Sequence, residues 1–439
     1  MSTDAVLLTD ADGGRQRLVR QQRAGALLSS PLLQLVGSLL IGVLGASLIR
    51  HAFLGSAPEF DPGNTAIGTS LSVLGGLVIY RKVTSLPGTA ALINTLPAFA
   101  VSYVIFVALF SALRIDFSRQ EFVLSFILTL TYMALLGAAA ARARRPAFGY
   151  VAGGAAGELL DVTHVDWVEF TTPAEAAEFP ELALAGDLQD EALSPEWERF
   201  LAEAAISGRR VYNARQLRES LIGRVEIRHL SENAFGHLAP DSIYAPLKLY
   251  IDVAAAFIVL VLLAPLLLLT ALLIRLGSPG PAIFAQERMG YRGKVFTMYK
   301  FRSMRQAAPE AAGLSADMTR NDDARITWLG RFIRKTRIDE LPQLVNILKG
   351  EMSWIGPRPE TVRLSRWYEA EIPFYRYRHI VRPGITGWAQ VRQGHVTSVT
   401  DVSEKLQYDF FYVKNFSPWL DFLIAALTVR VMLTGLGAK

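Results

Sequence analysis

Five apolar runs punctuate this 439-residue chain, and where each can sit relative to a bilayer limits the fold more than any other feature. The first, Leu32 to Leu48, follows Arg15, Arg17, Arg20 and Arg23. It is longer than the core of a secretory signal and more apolar runs follow, so it reads as a transmembrane helix. Ala66 to Tyr80, Thr89 to Leu113 and Glu121 to Ala141 supply three more spans, the run from Ala66 being short and Gly-rich. Basic residues ahead of the first run, Arg81 with Lys82, and Arg142, Arg144 and Arg145 then face the cytoplasm. The loops carrying His51, Glu59 and Asp61, and Arg114, Asp116 and Arg119, lie outside.

The fifth run, Ile251 to Arg275, is long enough to cross but holds Ala264-Pro265 near its middle. As a Pro-kinked span it carries everything after Arg275 out of the cytoplasm. If Pro265, which lacks an N–H, turns the helix back, both ends stay on one side. Composition leaves room for a water-facing part: hydrophobic residues are 51% and charged residues 19%. Residues 146–274 carry eight basic against 18 acidic side chains, and residues 275–439 carry 25 basic against 15 acidic. Adjoining acidic and basic blocks imply separate domains, the last suited to polyanions or anionic lipid. Cysteine is absent, which excludes disulfides, thiolate metal sites and a thiolate nucleophile.

Between Pro146 and Leu238 nothing is long enough to span. Helical stretches at Glu196 to Ser207 and Ala214 to Ile222, with strand candidates around Val151, Val162, Val165, Val168, Val225, Ile227 and His229, predict a small α/β domain. Gly149 to Gly157 is glycine-rich but lacks the spacing and βαβ context of a nucleotide-binding turn, so it reads as a loop. At the far end, Phe416 to Gly437 follows Tyr408, Phe410, Phe411 and Tyr412. An interfacial helix with an aromatic collar and a core helix are both open.

Reactive side chains concentrate between Pro279 and Gly387. Gln286 to Phe296 predicts a hairpin leading into Lys300-Phe-Arg302-Ser-Met304, either a phosphate cradle or solvated surface cations. Ile326, Leu329, Phe332 and Ile333 at helical spacing leave Arg331, Arg334, Lys335 and Arg337 on the other side, so a basic helix delivers the chain to Asp339-Glu340. Surrounding cations should depress both carboxylates. Asp339 is then a nucleophile or metal ligand, with Glu340 beside it able to hold Mg²⁺, or it caps a helix Leu341 to Leu348. Arg358, between Pro357 and Pro359, offers a fixed guanidinium or merely a stiff turn. Arg382 lies on another stiff, Gly-containing loop, and Trp388 either stacks on a base or is core. His379 and His395 lack ligand spacing.

In order, Lys248…Asp252, Pro265, Gly280-Pro, Phe284…Gln286…Arg288…Gly290, Lys300 to Met304, Thr336-Arg-Ile-Asp-Glu-Leu-Pro-Gln343, Gly356-Pro-Arg-Pro359 and Arg382 to Gly387 resemble the bacterial sugar transferase family. These are the monotopic polyprenyl-phosphate phosphoglycosyl transferases. The likeness covers about Tyr244 to Thr428, and the four spans ahead of it resemble the large members that initiate exopolysaccharide or O-antigen repeats.

The resemblance implies that Asp339 attacks the β-phosphate of a UDP-sugar, releasing UMP, and that undecaprenyl phosphate then takes the sugar phosphate. It implies that Glu340 helps bind Mg²⁺, that Lys300, Arg302, Arg337, Arg358 and Arg382 hold phosphate, and that the 251–275 helix is re-entrant, bending at Ala264-Pro265. Many relatives have Ser where this chain has Ala264, and its middle domain is shorter. The expected arrangement is therefore a membrane protein of the bacterial inner membrane. It comprises a basic segment 1–30, four transmembrane helices in 31–145, a small α/β domain 146–243 and a mainly α catalytic domain 244–439 with a short β-hairpin on the cytoplasmic face. Bilayer lipids are expected partners, nucleic acid is not, and a homo-oligomer is left open. Glucose or galactose is the expected sugar. A noncatalytic scaffold for polysaccharide assembly, and a glycosyltransferase releasing UDP, are the competing readings.

Overall fold

The computed structural model describes residues 25, 27–53, 62–84, 91–143, 147–226, 243–304, 326–393 and 399–434. The chain divides into two compact units, Met1–Gly223 and Arg224–Lys439. The arginines ahead of the first span, Arg144 and Arg145, Ile227 with His229, and His395 lie outside the described residues.

The first unit opens with four long helices: α1 (Pro31–Phe53), α2 (Pro62–Thr84), α3 (Ala91–Ala112) and α4 (Arg119–Ala143). Ser30 starts α1 by accepting from Leu33 N at 3.2 Å, with Pro31 at the first helical position where its missing N–H costs nothing. Small residues let these helices approach closely: a Cβ on Gly76 would lie 2.4 Å from the Phe99 ring. Hydroxyls tie them across, Ser102 Oγ donating to Ser72 O at 2.8 Å. Outward faces are apolar; Leu48 and Leu135 are exposed, as suits lipid. Among the described residues five helices are long and apolar enough to cross a membrane, these four and one in the second unit. The protein is a mostly helical membrane protein.

The same unit contains a parallel sheet of β1 (Ala147–Val151), β2 (Asp166–Phe170), β3 (Ala183–Gly186) and β4 (Val211–Asn213), in the order β2-β1-β3-β4. Helices α5 (Pro173–Ala177), α6 (Pro195–Ile206) and α7 (Ala214–Ile222) accompany it. Trp197 and Leu201 belong to one buried cluster and Trp167 and Leu217 to another, the pattern of a parallel sheet covered on both faces. The small α/β domain expected from the sequence is present, with differences. Val162 closes a 3₁₀ turn instead of opening a strand, and β3 and β4 are additional. The glycine-rich stretch is not a plain loop: Gly149 to Val151 belong to β1, and Gly154–Asp161 form a 3₁₀ helix. Ala155 N at the turn donates to buried Asp187 Oδ2 at 2.9 Å, so a carboxylate of the chain occupies the place where a nucleotide turn offers N–H groups to phosphate.

The second unit begins with α8 (Tyr244–Gly277), 34 residues with Pro265 inside an unbroken helical segment. Its first turns are fixed by Lys248, whose Nζ lies 2.7 Å from Asp421, and by Asp252, which accepts from Ser353 Oγ at 2.5 Å. There follow the antiparallel hairpin β5 (Ile283–Met289) and β6 (Val295–Phe301), then α9 (Trp328–Lys335), a 3₁₀ helix Ile338–Gln343 and α10 (Leu344–Leu348). Further on, β7 (Ser353–Ile355) pairs in parallel with β8 (Gly384–Thr386). Helices α11 (Val362–Glu371), α12 (Trp388–Arg392), α13 (Val399–Lys414) and α14 (Pro418–Thr434) complete the unit.

Two clusters attach α8 to the rest of its unit. Ala256 packs with Phe296, Met298, Leu344 and Ile347, and Ile274 with Ala282, Phe301 and Ile333. The expected aromatic collar is interior: Phe410 and Tyr412 are buried, and Trp388 stacks on Phe411 at 5.6 Å. Leu420 and Ile424 make the start of α14 core, while Val429 and Met432 near its end are exposed.

Candidate active site

Asp339 and Glu340 occupy the first turn of the 3₁₀ helix, which the chain enters through Arg337 in left-handed backbone, φ 59°. That reversal converts the basic helix α9 into an acidic turn within two residues. Asp339 does not cap a helix: its Oδ1 is buried and has no hydrogen-bond partner among the described residues. Asn346 locks this turn to the hairpin, donating through Nδ2 to Thr297 O at 2.7 Å, and so brings Lys300 on β6 alongside.

Three cations converge on one oxygen of Glu340. Arg358 Nη2 lies 2.8 Å from Oε1, with Lys300 Nζ and Arg337 Nη1 each at 3.5 Å. Burial by itself would raise the Glu340 carboxyl, but Arg358, Lys300 and Arg337 override it and hold it at about 2. Asp339 goes the other way. Burial, then repulsion from ionised Glu340, push it above the ordinary aspartate value despite Lys300, Arg337 and Arg334. The expectation that both carboxylates are depressed thus fails for Asp339, because the direct cation contacts go to its neighbour. Lys300 is itself pulled down to about 8 by burial and the nearby Arg358 charge.

Arg358 is presented by two loops pressed together. A Cβ on Gly356 would lie 2.2 Å from Arg382 O, and one on Gly387 2.2 Å from Gly356 O, so both positions demand glycine. Arg378 braces the loop from behind, donating through Nη2 to Arg358 O at 2.9 Å while paired with Asp409 at 2.8 Å.

Of the residues read from sequence, Lys300, Arg337 and Arg358 meet at Glu340, with Asp339 adjacent. Arg302 does not join them: its guanidinium donates to Pro279 O, Ser278 O and Ser278 Oγ, at 2.8, 2.8 and 2.9 Å. It sits just past the end of β6, so it leaves the face that Lys300 occupies. Arg382 donates through Nε to Gly350 O at 3.0 Å and lies 4.8 Å from the Tyr291 ring centre. Trp388 is core. Two residues escaped sequence reasoning. Arg334 bears on Asp339, and its Nη1, like Gln343 Nε2, is a buried donor without a partner among the described residues. Helical spacing put Arg334 on the basic face but did not rank it above Arg331 or Lys335.

The residues fit a Mg²⁺ ion. Among the described residues no group of three or more acidic or histidine side chains could cage one, but Mg²⁺ commonly takes one or two carboxylates and completes its shell with phosphate oxygens and water. Asp339 Oδ1 is an unpaired oxygen of the right kind. Glu340 would have to use the oxygen that the three cations leave aside.

A buried, proton-hungry carboxylate next to convergent cations is an arrangement for phosphoryl chemistry, and the comparisons with known proteins agree. The bacterial sugar transferase profile matches residues 243–435. An Aeromonas hydrophila protein named UDP-N-acetylgalactosamine-undecaprenyl-phosphate N-acetylgalactosaminephosphotransferase is 42% identical over 416 residues, covering 94% of this chain and 97% of that protein. Two proteins named UDP-glucose:undecaprenyl-phosphate glucose-1-phosphate transferase are also similar. That from Xanthomonas campestris pv. campestris is 40% identical over 48% of this chain and 43% of its own length, and that from Caulobacter vibrioides 44% identical over 43% and 70%. This chain belongs to the bacterial sugar transferase family.

Proposed function

We propose that the protein transfers a sugar 1-phosphate from a UDP-sugar to undecaprenyl phosphate and releases UMP, initiating an exopolysaccharide or O-antigen repeat. The observation that carries this reading is the asymmetry of the acid pair: Glu340 gathers the cations and stays ionised, while Asp339 keeps an unpaired oxygen of raised basicity. That oxygen attacks the sugar-bearing phosphorus. A P–O bond forms, the P–O bond to the UMP phosphate breaks, and UMP leaves with the bonding pair. An oxygen of undecaprenyl phosphate then attacks the same phosphorus and Asp339 departs as carboxylate. Arg358, Lys300 and Arg337 orient the phosphates and offset their charge, with Arg334 beside Asp339. Mg²⁺, held by Glu340 together with phosphate oxygens when bound, would supply further charge neutralisation at the phosphates.

N-acetylgalactosamine heads the donors to test, ahead of glucose and galactose. The relative named for it aligns over 94% of this chain, the glucose relatives over 48% and 43%.

In this reading α1–α4 are four spans, the α/β domain follows to residue 243, and the catalytic domain starts at 244. Helix α8 turns back at Ala264-Pro265, leaving the site on the cytoplasmic face of the inner membrane. Pro265 lacks the N–H that a continuous helix would use at this position, which supports the turn. A screen of UDP-sugars against undecaprenyl phosphate, scored by UMP, tests reaction and donor together; UDP as the product would overturn the reading.

A further inference from the structure

A cavity of about 500 Å³ lies in the second unit, and neither Asp339 nor Glu340, nor any cation that meets Glu340, lines it. Its size is that of a small-molecule site. Arg292, Arg376 and Arg382 line it, and the Arg292 and Arg382 guanidinium centres lie 5.0 and 4.8 Å from the Tyr291 ring centre. Arg376 Nη2 is 3.9 Å from where a Cβ on Gly293 would stand.

Among the described residues no carboxylate pairs with any of these three arginines, and like charges held together are unfavourable without a counter-ion. The one acid lining the cavity, Asp252, is already engaged by Ser353 Oγ at 2.5 Å and Lys248 at 3.6 Å, and Lys248 is held by Asp421. Buried His379 is pushed down to about 3, so it adds no charge of its own. Arg292 stands in left-handed backbone, φ 55°, at the tip of the β5–β6 hairpin. That conformation is uncommon outside glycine and persists where the surroundings enforce it. The cavity also borders the first turns of α8 at Lys248 and Leu249, the end of the helix that leads into its apolar run.

We propose that this cavity is a second anion site, separate from the acid pair, which binds a phosphate group through Arg292, Arg376 and Arg382 beside the Tyr291 ring. Planar guanidinium groups grip phosphate by paired hydrogen bonds, and the aromatic ring keeps them in place. Two sources present this chemistry at such a location: a phosphate-bearing solute and the headgroup of an anionic lipid.

The test uses the full chain in detergent micelles, in an Arg358→Gln background that removes the guanidinium contact at Glu340. Inorganic phosphate, short-chain phosphatidylglycerol and short-chain phosphatidylcholine are titrated separately, with binding followed by native mass spectrometry and by the shift in unfolding temperature. Phosphate or phosphatidylglycerol should bind, and Arg292→Gln with Arg376→Gln should weaken it by about tenfold per arginine, the scale of a charge-assisted contact. Binding of phosphate alone assigns a soluble ligand; binding of phosphatidylglycerol alone assigns a headgroup. Arg292 and Arg376 are exposed, so the double variant should fold, and Arg376→Gln alone carries the test if it does not. Failure of both anions to bind, equal binding of phosphatidylcholine and phosphatidylglycerol without any for phosphate, or binding unchanged by the substitutions would overturn the proposal.

Discussion

Arg358 donates through Nη2 to Oε1 of Glu340 at 2.8 Å, and the same oxygen faces Lys300 and Arg337. One acid of the pair is thereby committed as an anchor for cations, which frees its neighbour. The division of labour between two adjacent carboxylates is the main thing that three-dimensional structure adds to the motif.

Replacing Arg358 by Lys keeps the charge but loses the fork, so the substitution is not conservative. UMP release should fall by about 10²-fold, the loss typical of removing one preorganised donor at a developing charge. Steady-state assays with Arg358→Lys beside the parent protein measure this; near-parental activity would show that charge alone suffices there.

The pH dependence of kcat/KM should be a bell. Asp339 must be ionised to attack, and its pKa is raised, so the acid limb should lie above the ordinary aspartate value, with activity lost as pH falls through it. Lys300 must be protonated to hold phosphate, so activity should be lost as pH rises through about 8. Lys300→Arg, which stays charged, should move the alkaline limb upward in a kcat/KM profile; an unmoved limb would assign it to another group.

Arg378 and Asp409 form a buried pair at 2.8 Å behind the Arg358 loop. Removing one partner leaves an uncompensated buried charge, so Asp409→Ala should lower unfolding stability by about 3–5 kcal/mol. Because Arg378 also holds Arg358 O, the folded fraction should turn over more slowly. Denaturant titration with an activity assay at low temperature separates the two effects.

Gly356→Ala places a methyl 2.2 Å from Arg382 O, backbone that cannot move aside cheaply. Activity should drop more than a tenfold change in KM could explain, since the loop that presents the Arg358 guanidinium must give way. A variant with parental kcat would show that the two loops can part without consequence.

Much of this was legible in the residues, for physical reasons. Long apolar runs are a strong signal, and α1 to α4 each contain one of the four runs, though α2 extends well beyond the short run from Ala66. Helices α6 and α7 followed from spacing, but strand β3, Ala-Leu-Ala-Gly, carries no β-branched or aromatic residue and showed no strand signal. The motif string put Asp339, Glu340, Lys300, Arg337 and Arg358 on one list. It could not say that Glu340 takes the cations, or that Arg302, two residues from Lys300, spends its guanidinium on Ser278 and Pro279. Those facts depend on which face a side chain leaves from, and local spacing does not encode that at the end of a strand.

The most direct test of the central claim is to incubate purified protein with UDP-N-acetylgalactosamine and Mg²⁺ in the absence of lipid acceptor. The account predicts a burst of UMP stoichiometric with protein and a sugar-phosphate adduct on the peptide containing Asp339, chased off by undecaprenyl phosphate and absent in Asp339→Asn. UMP formation that survives in Asp339→Asn, or a burst with the adduct on another residue, would contradict it.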